Sequence, residues 1–295
     1  MKLALVTQNN LPDWESDDAP LVAELQSRGH QLTFPVWDDR QVNWNQLDAA
    51  LIRTTWDYMN KHDAFLAWVE QVGQATRLFN GPDVVRWNLD KRYLQELETH
   101  GVAIPPTVWL PQGKPTDIRA LMGQHGWHRG FIKPVVGACA WETLRFQADD
   151  AGLTAAQAHL ERMLAAGHMM LQPYLAQVET RGECSVLFFG GRLSHGVRKV
   201  PVPGDYRVQD DFGAHDEPYA LSEAEEAWAM QVIEVAQQIL GQPLLYARVD
   251  MLWGDGGELY LTELELIEPS LFFRHGPQGP GLLVDALEHA VKAAC

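Results

Sequence analysis

Cysteine is scarce in this 295-residue chain, which contains only Cys139, Cys184 and Cys295. These residues are far apart, and the sequence has neither a CxxC pair nor a set of zinc ligands. The scarcity excludes a disulfide framework and a structural zinc site. It is typical of proteins from a reducing compartment, so we expect a cytoplasmic location.

Long apolar segments are also absent. No stretch approaches the roughly 20 apolar residues of a membrane-spanning helix, and the N-terminal MKLALVTQNN is too short for the core of a signal peptide. Basic residues are few: 23 Lys and Arg stand against 39 Asp and Glu, which gives a net charge of −16. Because an acidic surface repels phosphate backbones, we expect neither a nucleic acid nor a membrane as partner. A few basic residues can still converge on an anionic ligand in one cleft.

Two common nucleotide-binding motifs are missing. The chain has no GxxxxGK[ST] sequence, which excludes a P-loop. No GxGxxG sequence follows its first predicted strand, which excludes the dinucleotide-binding fingerprint. The composition, with 46% hydrophobic and 21% charged residues, is nevertheless that of a globular protein with a large buried core.

Short apolar runs alternate with amphipathic segments over the first ninety residues. The predicted strands are Lys2–Thr7, Gln31–Val36, Ala49–Arg53 and Arg77–Phe79. The predicted helices are Asp18–Arg28, which ends at Gly29, and His62–Val72, which ends at Gly73. Strands that alternate with helices favour a parallel sheet covered by helices, so we predict an α/β fold for this part.

The rest of the chain predicts an α+β organisation. A helix over Pro82–His100 leads into Ile104-Pro105-Pro106-Thr107, where proline forces extended backbone and marks a boundary. The elements predicted beyond it are strands at Thr107–Leu110, Gly130–Pro134, Leu144–Phe146 and Met169–Leu175, a hairpin of Glu183–Phe189 and Arg192–Lys199, a loop over Pro201–Pro218, a helix over Leu221–Leu240, and strands at Leu244–Trp253 and Glu258–Ile267. We therefore predict an N-terminal domain at residues 1–90, a central domain at 91–170 and a C-terminal domain at 171–295.

The last predicted hairpin brings acidic side chains together. If residues 254–257 form its loop, Arg248 pairs with Glu263. Because strand side chains alternate between faces, Asp250, Glu263 and Glu265 then share one face. Carboxylates packed together repel one another, and a divalent cation held by oxygen ligands removes that repulsion. The hairpin therefore predicts a metal site; the alternative is a solvated polar face with Arg248 as salt-bridge partner.

Two polar features interrupt the apolar runs of the central part. Lys133 lies within a predicted strand and is followed by the small residues Gly137–Ala140, a combination that can cover phosphates. The alternative is a surface lysine before a turn. Gln172-Pro173-Tyr174-Leu175 ends a strand at a bend, because proline removes a ladder donor. Backbone exposed at such a bend can pair with a purine edge; the alternative is an ordinary kink.

A third feature follows the third predicted strand. The segment Arg53-Thr54-Thr55-Trp56-Asp57-Tyr58 lies at the carboxyl end of that strand, where ligands bind in open α/β sheets. The polar and aromatic side chains crowded there predict a small-molecule pocket that includes Arg53, Thr55, Trp56 and Asp57. The alternative is that Asp57 caps a helix and Trp56 packs in the core.

Six short motifs follow one another along the chain. They are Asn88-Leu89-Asp90-Lys91, Ile104-Pro105-Pro106-Thr107, Ile132-Lys133-Pro134, Gln172-Pro173-Tyr174-Leu175, Arg248-Val249-Asp250 and Glu263-Leu264-Glu265. Their order, over about residues 80–275, resembles the ATP-grasp superfamily, in particular enzymes like prokaryotic glutathione synthetase and the O-ureido-serine cyclo-ligase of the cycloserine pathway. The stretch Glu263–Phe273 is more similar to the cycloserine type. The resemblance implies an ATP-grasp architecture: a parallel α/β domain, a small lid and an antiparallel C-terminal lobe.

The resemblance also implies roles for individual residues. Lys91 and Lys133 would hold the phosphates of ATP, and Asp250, Glu263 and Glu265 would bind Mg²⁺, with Mn²⁺ as an alternative. The implied adenine and ribose contacts are Gln172, Tyr174, Leu175 and Glu183 (or Glu179). The implied groups at the γ-phosphate, the acyl phosphate and the substrate are Arg198 or Lys199, Arg207, Arg248 and Arg274.

The implied activity is that of an ATP-dependent ligase that joins a carboxylate and an amine through an acyl phosphate. The two groups can belong to one amino-acid-like molecule, as in a cyclo-ligase. Small-molecule carboxylates and amines are the expected partners, and a homodimer or homotetramer is the expected assembly because related enzymes often form one. Two alternatives stay open: a nucleotide-binding homologue without ligase activity, and a ligase that modifies the carboxyl end of a peptide or protein.

Overall fold

The computed structural model describes residues 1–9, 11, 15–137, 140–209 and 212–293. Among these residues, no helix has both the length and the apolar character needed to cross a membrane. Cys184 is buried, whereas Cys139 and Cys295 lie outside the described residues, as does Ala138 of the predicted phosphate-covering loop.

The N-terminal sheet is parallel, as the sequence predicts. Its strands are β1 (Lys2–Thr7), β2 (Gln31–Thr33), β3 (Ala49–Thr54) and β4 (Arg77–Leu78), in the spatial order β2-β1-β3-β4. The helices packed on it are α1 (Glu15–Ser27) and α2 (His62–Ala75). Gly73 lies inside α2 rather than at its predicted end. A Cβ at this position would lie only 2.7 Å from Pro82 Cγ, so the close packing against Pro82 requires a glycine.

The helix predicted over Pro82–His100 is wrong. The structure has two helices, α3 (Pro82–Asn88) and α4 (Tyr93–Thr99). The chain breaks between them because its groups have partners elsewhere. The Asn88 side chain donates to the carbonyl of Leu264 at 2.7 Å, and the Lys91 amide donates to the carbonyl of Val135 at 3.0 Å. This break directs Lys91 towards the C-terminal sheet.

The middle sheet is antiparallel. Its elements are β5 (Val108–Leu110), α5 (Ile118–His125), β6 (Arg129–Pro134), β7 (Leu144–Gln147), α6 (Asp150–Ala166) and β8 (Met169–Pro173), with the strands in the order β5-β8-β6-β7. The domain boundary predicted at residue 170 falls inside β8, which pairs with β5 and β6 of this sheet.

The C-terminal sheet is also antiparallel. Its elements are α7 (Val178–Arg181), β9 (Glu183–Phe189), β10 (Arg192–Val200), β11 (His215–Tyr219), α8 (Glu223–Leu240), β12 (Tyr246–Trp253), β13 (Leu259–Glu265) and α9 (Gly279–Ala293), with the strands in the order β11-β10-β9-β12-β13. The loop predicted over Pro201–Pro218 is wrong in part, since β11 lies in it. The polar sequence of β11 gave no strand signal, because among the described residues β11 lies at the edge of the sheet and pairs with β10 alone.

The pairing of β12 with β13 differs from the predicted register. Met251 lies opposite Leu261, and the register then shifts so that Asp250 lies opposite Glu263 and Arg248 opposite Glu265. The extra residue in this shift is Thr262, a β-bulge that restores the alternation of faces. The predicted pair Arg248–Glu263 is therefore wrong. The prediction that the acidic residues share one face is confirmed, because the bulge compensates for the different loop register.

Candidate active site

A cleft of about 700 Å³ is lined by both antiparallel sheets. Its walls come from β6, β8, β9, β10, β12 and β13 and from the segments that follow β3 and β13. The predicted site residues that line it are Trp56, Lys91, Lys133, Gln172, Tyr174, Leu175, Glu183, Lys199, Arg207, Arg248, Asp250, Glu263, Glu265 and Arg274. The structure thus gathers residues that are distant in the sequence.

Asp250 is the buried centre of an ionic network in this cleft. Its Oδ1 accepts hydrogen bonds from Ser185 Oγ at 2.5 Å and Arg248 Nε at 3.0 Å. Its Oδ2 lies 2.8 Å from Arg248 Nη2 and 3.4 Å from Lys199 Nζ. Burial alone would raise the pKa of Asp250, but Arg248 and Lys199 outweigh it and hold the pKa well below its usual range. The carboxylate therefore stays ionised and fixes two cations in the wall.

Glu265 shares Arg248 with Asp250 across the strand pair. Arg248 Nη2 donates to Glu265 Oε1, yet burial raises the pKa of Glu265 to about 8, with Asp250 and Glu263 adding to the effect. The Arg248 guanidinium thus pairs with two carboxylates whose pKa values are shifted in opposite directions. Arg248 keeps Asp250 charged and also opposes the raised pKa of Glu265, but burial outweighs it there.

Two lysines from outside the C-terminal sheet contact neighbouring residues of β13. Lys91 Nζ lies 2.8 Å from Glu263 Oε1, and Lys133 Nζ donates to the carbonyl of Thr262 at 3.2 Å. Burial lowers the pKa of Lys133 to about 8, although Glu263 opposes this effect. For Glu263 itself burial would raise the pKa, but Lys91 and Lys133 outweigh it and lower the pKa. The lysines and the carboxylates therefore belong to one site.

The oxygen atoms of the acidic residues are suitable ligands for a divalent cation, but their side chains do not converge on one point. Within residues 1–9, 11, 15–137, 140–209 and 212–293, no group of three His, Cys, Asp or Glu side chains is placed to hold a metal ion. Each predicted ligand instead has a basic partner: Lys91 for Glu263, and Arg248 for Asp250 and Glu265. Carboxylate oxygens on adjacent strands are ligands that Mg²⁺ accepts, and the Glu263 and Glu265 side chains are 32% and 30% exposed.

The bend after β8 forms another part of the cleft. Gln172 is buried, and its Nε2 donates to Thr107 Oγ1 at 2.8 Å. The Tyr174 hydroxyl donates to Glu179 Oε1 at 2.6 Å, and the Arg129 guanidinium lies 4.3 Å from the centre of the Tyr174 ring. Glu179 also pairs with Arg129 at 2.9 Å and does not line the cleft, whereas Glu183 does. Of the two residues proposed for the ribose, only Glu183 is accessible from the cleft.

The segment after β10 contacts β7 and the connection that precedes it. The Tyr206 hydroxyl and Thr143 Oγ1 are 2.9 Å apart and share a hydrogen bond, and Arg145 Nη2 donates to the carbonyl of Gly204 at 3.2 Å. Arg207 lines the cleft beside them and pairs with Asp205 at 2.6 Å. This segment therefore places a basic side chain in the cleft while it is tied to the middle sheet.

Arg53 and Thr55 do not line the cleft, contrary to the prediction. Arg53 is 2% exposed; its Nε donates to Asp18 Oδ2 at 2.9 Å, and its Nη2 donates to the carbonyl of Pro269 at 2.9 Å. Thr55 is fully buried. Arg53 points back into the core because β3 is buried on both faces, so it supports the segment after β13 from behind.

Asp57 and Arg198 also lie outside the cleft. Asp57 Oδ1 accepts a hydrogen bond from Trp37 Nε1 at 2.7 Å, and Oδ2 lies 3.1 Å from Lys61 Nζ. Arg198 pairs with Glu217 of the neighbouring strand β11. Because side chains alternate along β10, Lys199 and not Arg198 points into the cleft.

The sequence did not single out Glu268, and it indicated Tyr58 only as the last residue of the predicted pocket segment. Both line the cleft, and the Tyr58 hydroxyl donates to Glu268 Oε1 at 2.9 Å. Trp56 Nε1 donates to the carbonyl of Glu268 at 3.2 Å. Glu268 follows the end of β13, where strand alternation no longer predicts orientation. Its only signal in the sequence was a charged residue within an apolar stretch, Leu264–Phe273.

Comparisons with known proteins agree with this architecture. The family model of the N-terminal domain of D-cycloserine synthetase DcsG matches residues 3–80. The chain is 33% identical to the cycloserine biosynthesis protein DcsG of Streptomyces lavendulae, over 98% of this chain and 99% of that protein. It is 25% identical to the glutathione synthetase of Ralstonia nicotianae (strain ATCC BAA-1114 / GMI1000), over 77% of this chain and 67% of that protein.

A solved structure extends the likeness to three dimensions. The crystal structure of D-cycloserine synthetase DcsG superposes with a TM-score of 0.90 at 30% identity, covering 99% of this chain and 100% of that one. The resemblance to ATP-grasp ligases and the predicted mixed fold are confirmed. This chain belongs to the DcsG family of ATP-grasp ligases, which use ATP to form C–N bonds.

Proposed function

We propose that this ligase is a magnesium-dependent cyclo-ligase that closes the ring of an O-ureidoserine to give cycloserine. The observation that carries the proposal is the contact between the two walls of the cleft. Lys91 pairs with Glu263 and Lys133 donates to the carbonyl of the adjacent Thr262, in the cleft that Asp250 also lines. This arrangement suits a polyphosphate held between lysines and a metal ion. The names of the DcsG relatives support the choice of cycloserine as product.

The nucleotide would lie between the bend after β8 and the lysines. Gln172, Tyr174 and Leu175 would face the adenine, and Glu183 the ribose, because all four line the cleft. Lys91, Lys133 and Lys199 would neutralise phosphate oxygens. In that state Lys91 and Lys199 would exchange their present carboxylate partners, and Lys133 its carbonyl partner, for phosphate.

Magnesium would be held by Glu263 and Glu265, with Asp250 beside them. When bound, the ion supplies positive charge next to the phosphates and so favours phosphoryl transfer. The chain's own contribution is to keep Arg248 and Lys199 in place around Asp250. Arg248 then faces the cleft as a fixed cation for the charge that develops on the transferred group.

The reaction needs no nucleophile from the protein. A carboxylate is a poor electrophile, and transfer of the γ-phosphoryl group to it gives an acyl phosphate and ADP. The ureido nitrogen bonded to oxygen then attacks the carbonyl carbon, loses its proton, and phosphate leaves. Water removes the carbamoyl group left on the ring nitrogen, as carbon dioxide and ammonia. Burial raises the pKa of the Cys184 thiol, so that group is inert.

A small substrate suits the cleft better than a peptide. A volume of about 700 Å³ is in the range of small-molecule sites, and the nucleotide takes up part of it. Self-association as a homodimer or homotetramer and a cytoplasmic location stay predictions from the sequence.

ADP release with defined substrates tests the proposal. The purified chain would be incubated with ATP, Mg²⁺ and O-ureido-D-serine, and ADP and cycloserine would be quantified by liquid chromatography and mass spectrometry. We expect equal amounts of the two products, with neither formed without Mg²⁺. ADP release with pairs of amino acids but not with O-ureido-D-serine would contradict the proposed substrate.

A further inference from the structure

One acidic side chain of the cleft lacks the basic partner that the others have. Among the described residues, the acidic side chains that line the cleft are Asp17, Glu183, Asp250, Glu263, Glu265 and Glu268. The first five pair with Arg274, Lys199, Arg248, Lys91 and Arg248, respectively. Within the same part of the chain, no Lys, Arg or His nitrogen lies within 4 Å of the Glu268 carboxylate, whose one hydrogen bond comes from the neutral Tyr58 hydroxyl.

The surroundings of Glu268 make this lack of charge compensation costly. Burial raises the pKa of Glu268 to about 7, and Glu263 adds to the effect, although the Tyr58 hydrogen bond and the charges of Arg248 and Arg53, both more than 4 Å away, oppose it. A carboxylate in such a place becomes more stable when a cation binds to it. Glu268 therefore favours a positively charged ligand group.

The backbone that carries Glu268 is fixed by side chains of the N-terminal domain and of β12. Arg53 Nη2 donates to the carbonyl of Pro269 at 2.9 Å, the Tyr246 hydroxyl donates to the carbonyl of Ile267 at 3.0 Å, and Trp56 Nε1 holds the carbonyl of Glu268 itself. A carboxylate on so firmly held a segment loses little conformational entropy when it binds a ligand, which is the arrangement of a recognition site.

We propose that Glu268 binds the α-ammonium group of the amino-acid substrate. The inference rests on the proposed function, because it takes the substrate to be an amino acid whose carboxylate is activated in the same cleft. In the ring closure of an O-ureidoserine the α-amine is not consumed; it remains on the product. Glu268 is thus a specificity residue that selects and orients the substrate, with Tyr58 holding one of its oxygens.

Equilibrium binding separates this proposal from the proposed function. Dissociation constants would be measured by calorimetry, in the presence of ADP and Mg²⁺, for O-ureido-D-serine and for its des-amino analogue 3-(ureidooxy)propanoate. The proteins would be the unaltered chain, Glu268→Gln and the matched control Glu98→Gln. The control changes an exposed glutamate that does not line the cleft. Thermal unfolding of each would verify that it is folded.

We expect the unaltered chain and Glu98→Gln to prefer the amino compound on the order of 10- to 100-fold, the contribution of a charge-assisted hydrogen bond. In Glu268→Gln this preference should fall to about twofold or less, with affinity for the analogue unchanged. A preference that survives in Glu268→Gln, or none in the unaltered chain, overturns the assignment. ATP turnover in the same samples tests the ligase activity separately. Selective binding of the amino compound without turnover would support the role of Glu268 and contradict the proposed function.

Discussion

Two regions of the cleft are built in opposite ways. In the lysine wall (Lys91, Lys133 and Lys199), each amine meets a carboxylate or a carbonyl at the cleft, and two of the three residues lie on strands. The Glu268 wall (Trp56, Tyr58, Glu268 and Arg274) lies in segments that follow strands and is held from behind by the N-terminal domain. The first region is fixed by strand geometry, the second by hydrogen bonds from another part of the chain.

This difference assigns function and stability to different residues. In the lysine wall, the charged groups that form ion pairs also line the cleft. In the Glu268 wall, the supporting residue Arg53 is buried behind the site. Substitutions in the first region should therefore damage chemistry more than folding, and substitutions behind the second should do the reverse.

Lys133→Met should have the largest effect on activity. The methionine keeps the packing of the lysine stem but removes a cation that faces the phosphates, so kcat/KM should fall on the order of 10³-fold. Stability should change little, because the burial that lowers the pKa of Lys133 also disfavours its charge. Steady-state ADP release measures the effect, with Lys114→Met at an exposed turn as control. A fall of less than tenfold would mean that Lys133 does not contact the nucleotide.

Arg53→Met should have the largest effect on stability. It leaves Asp18 as a buried carboxylate without its partner, which costs about 3–5 kcal/mol. Urea unfolding at pH 7 measures this cost, and the added change Asp18→Leu should recover much of it. ATP affinity of the folded fraction should stay near that of the unaltered chain. A large loss of ATP affinity would break the distinction between the two regions.

Glu225→Gln should weaken the N-terminal cap of α8 and its bond to β12 by about 1 kcal/mol at pH 7, the difference between charged and neutral hydrogen bonds. Glu225 accepts hydrogen bonds from the Ser222 amide at 2.8 Å and from Trp253 Nε1 at 3.2 Å. Burial would raise the pKa of Glu225, but these bonds outweigh it and lower the pKa.

The sign of this pH dependence follows from the lowered pKa. Since the folded state binds the proton less readily than the unfolded state, the charged form stabilises the fold above the ordinary pKa of about 4.5. The stabilisation is lost as the pH falls through the lower, folded-state pKa. Denaturant unfolding of both proteins from pH 7 to pH 3 should show the difference shrinking; a constant difference would contradict the account.

Arg198→Gln should have the smallest effect. Its side chain is paired with Glu217 near the surface and lies outside the cleft, where such a pair contributes at most about 1 kcal/mol. We expect kcat/KM within about twofold of the unaltered chain, whereas Lys199→Met, one residue further, should lower it strongly. Comparable losses from both would show that the alternation of β10 does not decide which side chain acts.

The sequence predicted part of the lysine wall and the carboxylates that face it. Lys133 was predicted because a lysine within a strand needs a partner, whereas Lys91 and Lys199 were predicted only from the family resemblance. Alternation along a strand is a local rule, so it placed the carboxylates of β12 and β13 on one face. The exact pairs were wrong because the bulge at Thr262 has no local signature. The long helix predicted around Lys91 was wrong because the partners that break it, such as Leu264, are distant in the sequence.

The Glu268 wall could be predicted only in part. Trp56 and Arg274 were placed correctly in the cleft, but Arg53, Thr55 and Asp57 were expected there and lie elsewhere. The end of β3 was the right place to look, yet both faces of that strand are buried. Which side chains emerge there depends on tertiary contacts such as Arg53 with Pro269, and no local pattern encodes them.

Isotope transfer tests the central claim, that the cleft uses ATP to activate a substrate carboxylate, most directly. O-ureido-D-serine labelled with ¹⁸O in its carboxylate would be turned over with ATP and Mg²⁺, and the released phosphate analysed by mass spectrometry. Formation and breakdown of an acyl phosphate predict one ¹⁸O atom in each phosphate formed with ADP. Unlabelled phosphate, or the label in AMP, would contradict the account.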